Sequence, residues 1–321
     1  MIKEAWQSVR RWFSRMFGKD VIKQAVQVEP AASDEMTNAL KQWMDAFAGS
    51  PGWLSRKHPK TINLASTSSL YLARLVNAEL HFKVEGSARA DFLQQQVDRY
   101  VLPQITARTE EAIAGGCIAL KPYLYGNGIA VDFVRADRFY PLTIEPTGDV
   151  KEAVFVDQRS SGGYIYTRLE RHYFVNGVYH IGNTAYKSRS AENLGTQISL
   201  TDFAPWAEIE PVVAIEGISK PLFSVLRMPF ANTVDGSKLP VSMYANAMDT
   251  LRDIDFMYSD YCFEFYSGRR KMMVAEEALD RRNDGSCILP VDSDASDYYK
   301  ALDFGNNPTK MFEDYTPEIR Q

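Results

Sequence analysis

The sequence predicts an α+β protein: helices first, then an antiparallel sheet, then one long helix. Three observations carry this reading. Apolar residues recur at spacings of three and four through the first 114 residues. After Gly115-Gly116 they alternate with polar residues instead, and a helical period resumes at about 242 and runs to Gly268. Strands do not alternate with helices in the pattern, which argues against a parallel nucleotide-binding sheet.

Taken in order, the first segment places Ile2, Trp6, Val9, Phe13 and Met16 on one helical face. Residues 1–23 carry six Lys/Arg against Glu4 and Asp20, a local net charge of +4. Such a basic amphipathic helix suits a partner helix or an anionic membrane surface. Ser33 or Asp34 caps a second helix running to about Phe47, and Gly49, Pro51 and Gly52 end it. From Asn63 to His81 a third helix has Leu64, Tyr71, Leu72, Leu75, Val76 and Leu80 on its apolar side. A fourth runs from about Ala88 to Ala114.

The alternating text that follows, "CIALKPYLYGNGIAVDFVRADRFYPLTIE", "EAVFVDQ", "GYIYTRLERHYFV" and "GVYHIGN", predicts one antiparallel sheet of about five or six strands. Gly126-Asn127-Gly128, Gly162-Gly163 and Asn176-Gly177 are its turns. Five prolines between 204 and 240 suggest an extended, irregular crossing. The long helix then starts with Ser242 as its cap, and beyond Gly268 short strand-like pieces ("KMMVA", "SCILPV") are broken by Asn283-Asp284-Gly285.

Length and composition bound the function. A chain of 321 residues, 45% apolar, is long enough for about two domains with sizeable cores. A net charge of −5 excludes a chain that is basic throughout, as nucleic-acid binders commonly are. Cys117, Cys262 and Cys287 are odd in number and lack metal spacing, which suggests reduced thiols in a cytoplasm. No apolar run reaches the roughly 18 residues of a membrane span.

Little in the sequence points to catalysis. There is no phosphate-binding loop or dinucleotide fingerprint, and "YGNG" reads as a turn. His58, His81, His172 and His180 do not pair at metal-ligand spacing, and His172 and His180 read as surface imidazoles on strands. The run "DSDASDYYKALD" starts like a calcium loop but has Asp297 where the sharp turn needs glycine. Neither an enzyme nor a cofactor or metal is expected. Instead the long helix stands out. Leu251, Ile254, Tyr258, Tyr261 and Phe265 form a continuous apolar seam. An offset stripe carries Asp249, Asp253, Asp260 and Glu264, and Arg269, Arg270 and Lys271 follow the helix directly. At about 26 residues it would be roughly 39 Å long.

The order of parts resembles the portal proteins of tailed bacteriophages, of the long flexible-tailed type, over nearly the whole chain. The resemblance is carried in series by "INLASTSSLYLARLVNAEL", "AIAGGCIALKPYLYGNGIAVDFVRADRFYPL", "PLFSVLRMPFAN", "LRDIDFMYSDYCFEF" and "EDYTPEIR". After the N-terminal basic helix (1–30), it implies a wing of helices and antiparallel strands (31–240), a stem helix (241–268), a small α/β clip (269–315) and the start of a second stem helix (316–321). The rest of that helix, a channel loop and a crown would lie beyond Gln321. It also implies a ring of twelve copies at one capsid vertex of the virion, assembled in the host cytoplasm, through which double-stranded DNA is packed and ejected. The partners would be the terminase large subunit, a head–tail adaptor, and the major capsid and scaffold proteins, with no membrane. On this view the acidic stripe lines the DNA channel, Arg269, Arg270 and Lys271 meet partners at the clip, and the apolar seam packs subunits or wing. The alternatives are another head–tail connector, a minor capsid protein, or a peripheral membrane protein anchored by residues 1–23.

Overall fold

A computed structural model describes residues 16–267, except 88 and 127, and the backbone of four short strands beyond them. The chain divides into two compact units, Met1–Leu54 with Thr61–Arg252, and Ser55–Lys60 with Asp253–Gln321. The mixed α+β composition matches the expectation from the sequence.

The first unit opens with α1 (Lys19–Val26), α2 (Asp34–Phe47), α3 (Leu64–Ala78), α4 (Ala90–Tyr100) and α5 (Ile105–Gly115). Ser33 caps α2 as expected, its Oγ accepting from Met36 N at 3.0 Å. The single helix expected from 88 to 114 is instead two, α4 and α5, joined by a 3₁₀ turn at Leu102–Gln104. Pro103 explains the break, because it lacks an N–H and disfavours helix in the residue before it.

Nine strands follow: β1 (Cys117–Tyr125), β2 (Gly128–Arg135), β3 (Phe139–Ile144), β4 (Val150–Ser161), β5 (Tyr164–Val175), β6 (Val178–Ser188), β7 (Thr196–Ile198), β8 (Val212–Ile215) and β9 (Ser224–Arg227). They form two antiparallel sheets where the sequence suggested one. The first has the order β2-β1-β9; the second runs β3-β4-β5-β6-β7, with β8 also on β6. The proline-rich crossing is therefore not irregular throughout. It supplies β8 and β9, four residues each, too short for a period of two to stand out between prolines. The turns Gly162-Gly163 and Asn176-Gly177 have positive φ at both residues, which matches the twist of the strands they join.

Alternation along β4 builds cores on both faces of the larger sheet. Phe155 packs with Met36, Leu40, Trp43 and Met44 of α2. Its neighbours Val154 and Val156 pack with Phe17 and Ile22 around α1. Tyr140 Oη ties that layer down by accepting from Phe17 N at 2.8 Å.

Gly116 joins the helical half to the sheets. It sits at φ +86°, and a Cβ there would lie 2.7 Å from the Val241 carbonyl carbon. Both the left-handed backbone and the clash oppose any side chain. Gly116→Ala is expected to cost about 2 kcal/mol or more, read as a lower urea midpoint at unchanged slope.

The long helix α6 spans Met248–Ser267, later than the start expected near Ser242. Ser242 is not its cap. It is buried, donates to Ile113 O at 3.4 Å and accepts from Tyr244 N at 3.4 Å, so a buried turn holds residues 241–247. In the second unit, β10 (Lys271–Val274) pairs antiparallel with β13 (Tyr299–Leu302), and β11 (Asp280–Arg281) with β12 (Cys287–Ile288).

Candidate functional site

The helix α6 carries the residues that the sequence singles out, and the structure places them unevenly. At the start of the seam, Leu251 packs on the core beneath α2. Ile254 is half-buried, and after it the seam opens: Tyr258, Tyr261 and Phe265 are 36%, 41% and 45% exposed. Met257 and Phe263 beside them are 72% and 65% exposed. This half of the helix presents an aromatic surface to its surroundings.

The buried stripe of that half is offset from the seam and polar. Asp255 and Ser259 are buried and Cys262 is half-buried, at spacings of four and three. The polarity has a local cause. The segment Ser55–Lys60 lies along this face, where Ser259 Oγ accepts from Lys60 N and donates to Lys60 O, both at 3.1 Å. The His58 ring stacks on Phe256 at 4.2 Å, and Lys60 Nζ sits 4.8 Å from the centre of the Tyr266 ring. A serine here satisfies strap backbone that an apolar residue would leave unpaired.

The acidic stripe is exposed but not bare. Asp249 pairs with Arg252 at 2.9 Å one turn on, and Asp260 lies 3.4 Å from His58 Nε2. Asp253 and Glu264 are also exposed. Of the basic cluster, Arg269 and Arg270 fall outside the described residues, and Lys271 begins β10, facing Leu302 across the ladder. Most of the acidic run 292–303 is likewise outside them.

A second polar centre lies in the first unit, where the sequence reading placed only a surface histidine. His172 is buried at 1% exposure. It holds Glu170 through Nε2 at 2.7 Å, and Tyr179 Oη lies 2.6 Å from its Nδ1. Glu170 also receives Lys121 at 2.8 Å and Arg168 at 3.1 Å. Tyr179 Oη accepts from Leu222 N, which leaves its hydrogen for Nδ1 and fixes Nε2–H toward Glu170. Burial pushes the His172 pKa down, and the hydrogen bond and charge of Glu170 offset only part of this. Burial alone would raise the Glu170 pKa. The His172 hydrogen bond and the Lys121 and Arg168 charges outweigh it and hold this carboxyl well below the usual range.

No protein-family model matches this chain, and a search of curated proteins finds none that matches it. Among the described residues no group of His, Cys, Asp or Glu is arranged to hold a metal, and no helix is long and apolar enough to cross a membrane. Cys117 is buried, which pushes its thiol up to about 12 and leaves it a poor nucleophile. His180 is half-buried and stacks on Tyr173 at 5.4 Å.

Sequence reasoning missed two features, the Ser55–Lys60 strap and the Glu170 network. The strap had a signal: "SRKHPK" is basic and the helix it meets is acidic. The network had one too, since Arg168, Glu170 and His172 alternate along β5 and share a face with Phe155, the Cα partner of Glu170.

Proposed function

We propose that this chain is the portal subunit of a tailed bacteriophage, one of a ring of identical copies that forms the DNA channel at a capsid vertex. The observation that carries the reading is the exposed half of the α6 seam. Tyr258, Tyr261 and Phe265, flanked by Met257 and Phe263, form an apolar surface of the kind that marks a protein interface. Identical copies packed side by side would cover it, and a heterologous contact repeated around an axis closes into a ring. The series of sequence segments that resembles portal proteins supports the same reading.

On this proposal Asp249, Asp253, Asp260 and Glu264 face the duplex. Repulsion of phosphate across a hydrated gap lets DNA slide, whereas lysine or arginine contacts would release counterions and make it stick. Arg269, Arg270 and Lys271 then stand where the packaging motor and later the tail adaptor dock.

Negative-stain imaging of the purified protein tests the ring. Turbine-shaped particles with a central hole are the expected result, and a uniform population of monomers would overturn it. The sliding surface has its own test. Particles built with Asp249→Lys and Asp260→Lys should package and eject DNA more slowly than the parent, and equal rates would remove the acidic stripe from the mechanism. Flotation with anionic liposomes separates the membrane alternative, which requires binding that disappears without residues 1–23.

A further inference from the structure

A cleft of about 530 Å³ opens between the β1-β2 hairpin and the β4-β5 hairpin, within the first unit. That volume lies in the range of small-molecule sites, roughly 300–1,000 Å³. Its walls carry five arginines and one lysine: Arg108 from α5, Lys121 from β1, Arg135 at the end of β2, Arg138 just after it, and Arg159 and Arg168 from β4 and β5. The lining carboxylates are fewer, Asp132, Asp157 and Glu170.

Carboxylates hold several of these cations in position. Glu111 lies 2.7 Å from Arg108, Asp137 2.5 Å from Arg135, Asp157 3.2 Å from Arg159, and Glu170 takes both Lys121 and Arg168. Glu111 and Asp137 stand outside the lining, so they orient guanidiniums without placing negative charge on the wall. The Nε atoms of Arg108 and Arg168 are shielded and make no hydrogen bond, while the side chains keep 30% and 15% of their surface exposed, so contact with a ligand would run through the terminal Nη groups. Phe133, partly buried beneath the Arg108 guanidinium at 5.8 Å, adds an apolar wall.

We propose that this cleft binds a compact polyphosphate, either inorganic or the phosphate chain of a nucleotide. Six cations against three lining carboxylates suit an oxyanion of high charge density, with Arg135 and Arg159, already forked onto Asp137 and Asp157, contributing charge more than free donors. The site is independent of the ring proposal and of the α6 surface.

Isothermal titration of the full chain with inorganic tripolyphosphate tests it, with adenosine triphosphate, citrate and sulfate in parallel at matched ionic strength. The expected result is saturable binding of tripolyphosphate at one site per chain. Tighter binding of adenosine triphosphate would identify the nucleotide as the source, and tighter binding of tripolyphosphate the inorganic chain. Arg168 shares a buried ion pair, so its removal risks the fold; Arg159→Gln and Arg108→Gln, nearer the opening, are the informative variants. Each should weaken binding about tenfold or more while leaving the thermal transition in place. Absence of saturable binding, citrate binding as tightly as tripolyphosphate, or affinity unchanged in both variants would overturn the proposal and leave the arginines with a structural role alone.

Discussion

Replacing Glu170 by glutamine is expected to lower stability by about 3–5 kcal/mol, the cost of leaving buried charges without their partner. The substitution keeps shape and volume, so packing is not the cause. Glu170 accepts from His172 and Lys121 at one oxygen and from Arg168 at the other. A glutamine replaces one of those oxygens with an NH₂ group, which faces a donor whichever way the amide turns. Lys121 keeps Asp132 at 3.7 Å and Arg168 keeps Asn183 at 3.1 Å, partial compensation that places the loss within that range and not above it. Urea unfolding of the two proteins measures it, and a difference below about 1 kcal/mol would mean the network is more hydrated than its burial implies.

The same network sets a pH dependence. The folded pKa of His172 lies below its ordinary value of 6.5 and that of Glu170 below its ordinary 4.5, so in both cases the unfolded chain binds more protons than the folded one. Stability therefore rises with pH through these windows and is lost as pH falls, first below about 6.5 and again below about 4.5. Melting temperatures between pH 8 and pH 2 should show this fall, and in Glu170→Gln the lower step should shrink. A melting temperature flat across that range would contradict the assignment.

The second large effect concerns assembly and not folding. On the ring proposal, changing Tyr258, Tyr261 and Phe265 all to serine is expected to abolish rings while the subunit stays folded. Serine, tyrosine and phenylalanine have similar helix propensities, but these residues are 36–45% exposed and so more than half buried in the monomer, and each change should lower monomer stability by about 1–2 kcal/mol. Between copies the balance differs. Covering the exposed parts of three such rings removes on the order of 200 Å² from water, about 5 kcal/mol per subunit at 25 cal/mol/Å². Sedimentation velocity beside circular dichroism separates the two effects. Intact rings in the variant would show that other surfaces hold the copies together.

Much of this architecture was legible in the sequence, because helix caps and hairpin turns are local chemistry. Ser33 and the Gly162-Gly163 and Asn176-Gly177 turns act through neighbours two or three residues away, and they stand where the pattern put them. The misreadings came from long-range pairing. Strand β9 exists because Ser224–Arg227 meets β1, about a hundred residues earlier, and no local signal announces that. His172 read as a surface residue because alternation shows which residues share a face, but not that Phe155, Phe223 and Tyr179 close over it. On α6 the seam and the acidic stripe were visible as spacings. Which stripe the chain covers itself was not, since the answer depends on a strap nearly two hundred positions away.

That strap imposes a schedule on synthesis. Lys60 and Ser259 are 199 residues apart, yet they bond through both main-chain groups of Lys60. Ser55–Lys60 leaves the ribosome well before its helix exists, by about 10–40 s at roughly 5–20 residues per second. During that interval the rest of the first unit, Thr61–Arg252, is synthesised. The polar face of α6 is therefore covered by a segment that has waited, already synthesised, for the helix to be made.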